Sequence, residues 1–390
     1  MKVNVAVCGK FHYHNYIKYL ENSGVLNRFY YSHKISTNYN ILGVSGKRCI
    51  NLWYKEYLMY AQQKIMPQFS PAVLATLHAD AWQLGVLLNW QQCDIYHLML
   101  HGTGIKTINK NRSQGGISLL EPVNAHPDIM HEIIKTEADR LGIHYPSRPY
   151  RIQMRQSVEA DNADFLLAPS RWVRDSFVQH GFPESRIFIL PYGVNCDRFK
   201  FDTFKNYEIK NKFGVICVAQ ISLRKGQKYL LDAWQILNLK NADLLLIGAM
   251  HGNMRKILKP FAGKYTHIPA VPNPELYKYY NQASVFVLPT LEDGFAVVVG
   301  EAMACGLPVI TTDHAGAADI IEDGKDGFIV PIRNPQAIAE KIELLYRNPE
   351  LREEMSRNAL KKAQTQLSWE TYAGKLCKIY EEIYSRRQQG

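Results

Sequence analysis

The stretch PTLEDGFAVVVGEAMACGLPVITT, residues 289–312, decides how the rest of the chain is read. Its first two residues close the apolar run SVFVLPT (284–290), which predicts a buried strand, and its last six belong to a second such run, LPVITTD (307–313). Between them FAVVVGEAMAC is expected to be a helix, closed by Gly306 and Pro308. Valines and a mid-helix glycine form helices poorly, so burial against neighbours must hold it. Strand, loop, helix, strand is the unit of a parallel α/β layer, and ligands of such layers bind beyond the carboxyl ends of the strands. Two acids, Asp293 and Glu301, interrupt the apolar pattern at that end. A buried acid is costly unless it is paired or hydrogen-bonded. On spacing alone, Glu301 is either an acid paired to a buried Arg or Lys or an acceptor for two vicinal hydroxyls, such as those of a ribose.

The same alternation runs along the chain. VNVAVCG, DIYHLML (94–100), GISLLEPV (116–123), NADFLLAPS (162–170) and RIFILPYGV (186–194) read as strands of a first layer. The helix SRWVRDSFVQHG opens on Ser170 as N-cap and stops at Gly181. GVICVAQIS (214–222) and ADLLLIGAM (242–250) add strands to a second layer, with the helix GQKYLLDAWQILN (226–238) between them, and the chain ends in helical segments. The economical architecture is two doubly wound Rossmann-like α/β domains facing across a cleft. The boundaries predicted are 1–195, 196–370, and a last helix, 371–390, packing back toward the first domain. The polar segment 195–214 is the linker candidate.

Composition narrows the classes. The chain has 390 residues, 46% hydrophobic and 21% charged, enough for two cores. No apolar run reaches the roughly 18 residues needed to span a bilayer. MKVNVAVCGK reads as a first strand rather than a signal peptide. Seven scattered cysteines without a C-x-x-C pair fit free thiols in a cytoplasmic setting and suggest no zinc site. The net charge is +10, and residues 1–50 hold seven Lys/Arg against one acid, interleaved with aromatics. That segment is read either as a solvated face over core aromatics or as a contact with an anionic membrane surface; no motif for nucleic acid accompanies it.

PTLEDGFAVVVGEAMACGLPVITT closely resembles the signature of retaining glycosyltransferases of family 4, which have the GT-B fold. APSRWVRDSFVQHGFPESRIFILPYGVNCDRF (168–199) is similar to the family's bridge into the second domain, with Tyr192 in place of the usual Asn. VAQISLRKGQKYLLDAW (218–234) resembles its phosphate-binding strand, loop and helix, and YYNQASVFVLPT and GAADIIEDGKDGFIVP complete the set. The resemblance covers roughly residues 165–350. It implies a transferase moving a sugar from a nucleotide-sugar donor to a glycan or lipid-linked acceptor, with neither metal nor other cofactor. Asp293 then contacts the donor sugar and Glu301 the donor ribose. Gly294, Phe295 and Ala296 offer backbone N–H groups, and Lys225 holds the diphosphate. Base contacts fall near Val271 and Pro272.

Two positions depart from the pattern. Asp293 replaces a Glu, and Gln220 stands where an arginine is usual, with Arg224 as the nearby replacement or a residue facing solvent. In the first domain His126, ending GGISLLEPVNAHP, is the candidate to contact the donor sugar near the reacting carbon, with His101 as runner-up. Gly9 ends the first strand, where backbone and ligand would approach. His12 and His14 form an H-x-H too sparse for a metal. Arg148, Arg151 and Arg155 form a basic cluster, read as solvated or as an acceptor-phosphate contact. An epimerase or phosphorylase of the same fold, or a transferase-like scaffold without activity, are the alternative readings.

Overall fold

The computed structural model describes residues 1–9, 11–33, 43–65, 71–147, 150–202 and 212–389. Two parallel sheets organise it, as the alternating apolar runs predict. The first contains β1 (Val3–Val7), β2 (Leu26–Tyr31), β3 (Cys49–Asn51), β4 (Ile95–Met99), β5 (Ile117–Glu121), β6 (Phe165–Ala168) and β7 (Ile187–Ile189), in the order β3-β2-β1-β4-β5-β6-β7. Its helices are α1 (Tyr13–Asn22), α2 (Tyr54–Ile65), α3 (Pro71–Leu88), α4 (Ile105–Ser113), α5 (Pro127–Arg140), α6 (Arg151–Asp161) and α7 (Arg171–Gln179).

The second sheet runs β10-β9-β8-β11-β12-β13. Its strands are β8 (Phe213–Val218), β9 (Ala242–Ile247), β10 (Thr266–Ile268), β11 (Val285–Leu288), β12 (Val309–Thr312) and β13 (Gly327–Val330). Its helices are α8 (Gln227–Ile236), α9 (Met254–Ile257), α10 (Leu276–Tyr280), α11 (Val297–Ala304), α12 (Pro335–Arg347) and α13 (Pro349–Gln366), and α14 (Trp369–Gln389) follows. Every pairing is parallel, so residues buried on both faces give the continuous apolar runs seen in the sequence.

Each sheet has one point where strand order reverses: β1 beside β4 in the first, β8 beside β11 in the second. Loops leaving those four strands diverge and open a crevice between them. The loops 219–226 and 289–296 therefore flank that crevice on the second sheet, and residues 11–12 and 100–104 flank it on the first. α7 begins at Ser170, whose hydroxyl accepts the Val173 N–H (3.2 Å), and the chain turns at Gly181 with φ +88°. α11 starts two residues later than the apolar run suggests, because Asp293 ties the turn ahead of it.

The chain crosses between the sheets twice, side by side. Val194 donates its N–H to the Leu367 carbonyl and bridges to Ser368. Beyond the second crossing α14 packs on α1, and Tyr380 hydrogen-bonds His97 of β4 (2.6 Å). Residues 203–211 of the linker candidate, Arg148, and Lys10 and Lys34 of the basic segment lie outside the described residues.

The membrane reading of residues 1–50 fails for the aromatics. Tyr13, Tyr16, Phe29, Tyr30 and Tyr31 are all buried, placed by α1 and β2 in the core. β2 is buried on both faces and the helical spacing of α1 turns Tyr13 and Tyr16 inward, so these rings belong to the core.

Candidate active site in the interdomain cleft

The donor-side loops bring the predicted residues together. Lys225 ends a short 3-10 turn (Leu223–Lys225) after β8, and its ammonium pairs with Asp293. Gly226, at φ +63°, makes this turn possible, since a Cβ there would overlap the Pro289 carbonyl oxygen. The second carboxylate oxygen of Asp293 accepts the Ala296 N–H (3.1 Å), so the acid also caps the entry to α11. Ala296 itself sits at φ +61°, a left-handed conformation that costs a non-glycine residue about 1–2 kcal/mol. Strain of this kind survives only where surrounding contacts impose it.

Burial alone would raise the Asp293 carboxyl, but the Lys225 and Arg224 cations hold it below the usual carboxylate value. Burial pulls the Lys225 ammonium below its ordinary value, with Asp293 acting against that and Arg224 with it. The pair is thus mutually charged in a place from which water is largely excluded.

Arg224 does not point to solvent. Its Nη1 donates to Glu292 Oε2 (2.9 Å), the Glu292 carbonyl (3.1 Å) and Asn124 Oδ1 (3.3 Å). Glu292, fully buried, accepts the Ala125 N–H with its other oxygen (2.9 Å). It ties the donor loop to the first domain and is not available to stand in for Asp293. At Gly294 the two backbones touch, where a Cβ would overlap the Val123 carbonyl oxygen, and Ser170 Oγ donates to the Gly294 carbonyl (2.8 Å). Gln220 lies exposed on the 219–226 loop. The shape of that loop comes instead from buried Gln227, which donates to the Gln220 carbonyl (2.9 Å) and accepts from Ser222 N–H (3.3 Å).

Glu301 sits on α11 with 7% of its surface exposed and no ion-pair partner among the described residues. Asn273 Nδ2 donates to one oxygen (3.0 Å) and the Tyr280 hydroxyl to the other (3.3 Å). Burial raises its carboxyl to about 7, with the two hydrogen bonds and the more distant Arg198 pulling the other way. Of the two readings left open by spacing, the pairing to a buried cation finds no partner among the described residues. Val271 and Pro272 immediately precede Asn273, which puts that segment beside Glu301.

The first domain is arranged differently from expectation. His126 is the N-cap of α5: its Nδ1 accepts the Asp128 N–H (3.3 Å) and its ring stacks on His180 (3.8 Å between centroids, 13°) and against Phe177. Burial, reinforced by His180, lowers it to about 4. The backbone at 123–125 reaches the donor loop, whereas the ring turns toward α7. His126, Asp128 and His180 carry the one cluster of potential metal ligands among the described residues, with donor atoms within 4.8 Å. Stacked imidazoles direct their in-plane lone pairs side by side, however, which suits ring packing better than shared coordination.

The ring of His101 is packed against Phe11 (5.0 Å), and burial lowers it to about 4. Its N–H and those of Gly102, Thr103 and Gly104 all converge on the buried Glu159 carboxylate of α6. Gly9, at φ +136°, leaves its open side to the Phe11 ring. Arg155 of the basic cluster is spent on Asp80 (2.9 Å), and Arg151 is exposed.

Sequence reasoning missed the group at the end of β5. Glu121 is fully buried and accepts from His12 Nε2 (2.6 Å) and His97 Nε2 (3.0 Å). Both imidazoles donate through Nε2, so His97 Nδ1 is the acceptor for the Tyr380 hydroxyl; the tautomer follows from this network. His12 packs face on Tyr192 (3.9 Å), which meets Phe295 of the donor loop edge-on (5.2 Å). The available signal was an acid closing an otherwise apolar strand, ISLLE.

Other contacts join the domains away from this row. Glu137, almost wholly buried on α5, accepts from Tyr229 (2.9 and 3.0 Å) and from Arg333 Nε (2.8 Å). Trp172 stacks on His314 (4.0 Å). A cavity of about 730 Å³ between Phe213, Ser284 and Arg352 opens at the opposite, amino-terminal edge of the second sheet, away from all these groups.

Residues 199–362 match the sequence model of the family Glycosyl transferases group 1. The D-inositol 3-phosphate glycosyltransferase of Paenarthrobacter aurescens is 28% identical over 273 residues, 66% of each chain. The capsular polysaccharide biosynthesis glycosyltransferase CapM of Staphylococcus aureus is 32% identical over 209 residues, 48% of this chain and 54% of that one. The matched region spans between about half and two thirds of these relatives' lengths. Sucrose-phosphate synthase from Thermosynechococcus elongatus superposes with a TM-score of 0.71 at 16% identity, covering 98% of this chain and 100% of that one. Anabaena HepE in complex with UDP and glucose gives 0.67 at 14%, again with 98% and 100% coverage. The fold is therefore GT-B, and residues 199–362, within the second domain, are similar to the glycosyl transferases group 1 family.

Proposed function

We propose that the protein is a retaining glycosyltransferase that moves a sugar from a nucleotide-sugar donor to a glycan or lipid-linked acceptor, in the making of a cell-surface polysaccharide or glycolipid. The observation carrying this reading is Glu301: a buried carboxylate with no ion-pair partner among the described residues, on the helix that follows the Asp293 loop at the switch point of the second sheet. A carboxylate so placed gains most from neutral donors such as the two hydroxyls of a ribose. The diphosphate then lies against Lys225 and the N-terminus of α11, whose unpaired N–H groups favour an anion. Asp293, released from Lys225 by the phosphate, accepts a hydroxyl of the sugar. HepE, whose solved complex holds UDP and glucose, supports a nucleotide donor by analogy of fold.

In the reaction, the acceptor oxygen bonds to the anomeric carbon on the face from which the diphosphate oxygen departs. The acceptor's proton passes to that departing oxygen. Lys225 and the helix terminus stabilise the charge growing on the leaving group, the kind of preorganised electrostatics that supplies a large share of catalysis. No divalent metal is needed for that balance, and activity is expected to survive EDTA; its loss, with rescue by magnesium or manganese, would refute the metal-free step.

A thermal-shift panel of UDP-, GDP- and ADP-sugars tests the reading directly. A saturating donor stabilises the folded state by RT ln(1 + [L]/Kd), and Glu301→Ala should lose that shift. If no nucleotide stabilises either protein, the donor site is misassigned.

A further inference from the structure

Among the described residues, eleven of the thirteen exposed large apolar side chains lie on one side of the first domain, on α2, α3 and α6 and at their edges. Singly exposed apolar residues need no explanation, but a contiguous set does. On α3, Leu77, Leu84 and Leu88 share one face at helical spacing and are 57–77% exposed, while Trp82 and Val86 on the other face are buried. On α6, Met154 and Val158 repeat the spacing. On α2, Tyr57 and Leu58 stand out, with Trp53 packed edge-on against Tyr57 (5.2 Å). The helices form one block. The Tyr54 hydroxyl bonds Ala81 of α3 (3.0 Å), and Arg155 of α6 reaches Thr76 (3.3 Å) and Asp80 (2.9 Å) of α3.

Cations rim this face. The four helices α2, α3, α4 and α6 carry seven Lys/Arg against four acids. Glu159 is spent beneath the 101–104 turn, Glu56 pairs with the buried Lys55, Asp80 with Arg155, and Arg112 with Asp164 outside these helices. That leaves Lys64, Lys106, Lys110 and Arg151 as the exposed cations of the rim without an ion pair among the described residues. α4, packed beside α3, has Lys106, Lys110 and Arg112 and no acid, and the two lysines are exposed. Among the described residues no helix is long and apolar enough to cross a membrane. Leucines with Trp and Tyr at the margin and lysines around them are the chemistry of a surface that lies in a lipid interface. A second copy fits less well, since an isologous contact would set the lysine rim of α4 against itself.

We propose that the α2–α3–α6 face rests on an anionic lipid bilayer. The inner side of α6 is clamped to the 101–104 turn at the carboxyl end of β4 through Glu159, so the face borders the first-domain lip of the cleft. A lipid-anchored acceptor would then be presented to that lip from the membrane; this last step rests on the transferase reading, the docking itself does not.

Vesicle flotation of the full chain tests the docking, with phosphatidylcholine vesicles compared against vesicles also containing phosphatidylglycerol. The wild type should float with the anionic vesicles, and less so as salt rises. Leu84→Glu/Leu88→Glu and Lys106→Glu/Lys110→Glu should each lower that binding about tenfold or more while keeping the donor-induced thermal shift, which shows that they fold. Wild-type protein that stays unbound at low salt overturns the proposal. So do leucine variants that bind as well as wild type, or a wild-type dimer in solution that the leucine variants dissociate. Vesicle binding without any nucleotide-induced shift would keep the docking and remove the transferase reading.

Discussion

Glu121 and Glu301 are both buried acids at the carboxyl edge of a parallel sheet, one on each lip of the cleft, and they are held in opposite ways. Glu301 has two neutral donors and, among the described residues, no ion-pair partner, and burial raises it to about 7 against the pull of the more distant Arg198. Glu121 meets the same penalty from burial, but His12 and His97 more than offset it and hold its carboxyl far below the usual range. An acid whose partners come from its own fold is part of the scaffold. An acid left short of partners is kept ready for a ligand that brings its own donors. On the transferase reading proposed above, the difference leaves Glu301 open to a donor, whereas Glu121 holds His12 and His97 in place.

The largest effect that would sharpen this contrast concerns the donor lip. Lys225→Ala should reduce transfer by roughly 10²–10³, the scale of losing one preorganised electrostatic contact, measured as product formed from a saturating donor. Glu121→Gln should leave the donor-induced thermal shift in place. If Glu121→Gln abolishes that shift as completely as Lys225→Ala does, the two lips act as one unit and the contrast fails.

Stability comes next. Glu121→Leu leaves two buried imidazoles without their acceptor and should cost about 3–5 kcal/mol, read by denaturant unfolding. The wild-type contribution has a defined sign with pH. Glu121 has a folded value below its unfolded one, so its stabilisation is present above about pH 4.5 and is lost as pH falls.

Glu301 runs the other way. Its folded value, about 7, exceeds the ordinary 4.5, so the stability it contributes is complete below about pH 4.5 and is lost as pH rises through 7. Glu301→Gln should therefore gain on wild type steadily between about pH 5 and about pH 8, followed by Tm. A flat difference over that interval would mean that Glu301 has a cationic partner after all. The smallest effect is expected at Ala296. Replacement by Gly relieves its left-handed strain and should stabilise the protein by no more than about 1 kcal/mol, visible as a Tm increase of a few degrees at most.

What could be read from sequence follows the same division. The donor lip was legible because Asp293, Phe295, Ala296 and Glu301 fall within nine residues of one strand-loop-helix unit. Lys225 was legible through the resemblance of VAQISLRKGQKYLLDAW (218–234) to a family's phosphate-binding strand, loop and helix. Strand positions could be anticipated from the apolar runs, although the whole stretch from α1 to α3 was not resolved into elements. There, aromatic and basic residues mask the period, and only tertiary packing shows that Tyr13 and Tyr30 face inward. The Glu121 group was illegible for another reason. His12, His97 and Glu121 come from three loops and strands whose adjacency depends on sheet order, and Tyr380 arrives from the last helix of the chain. His126 was placed correctly at the cleft edge as backbone, but helix capping claims its ring, and no spacing rule foretells which way a capping side chain turns.

The two neighbouring crossings at Val194 and Leu367 have an optical consequence. A rotation that parts the domains pivots where the chain passes twice, and displacement grows with distance from that line. Trp369 immediately follows the second crossing and stays at the axis. Trp172 lies on the first domain with its indole against His314 of the second, so separation strips away its stacking partner. Of the six tryptophans, these two thus respond differently to opening, one a fixed reference and one a gauge of how far the cleft has opened.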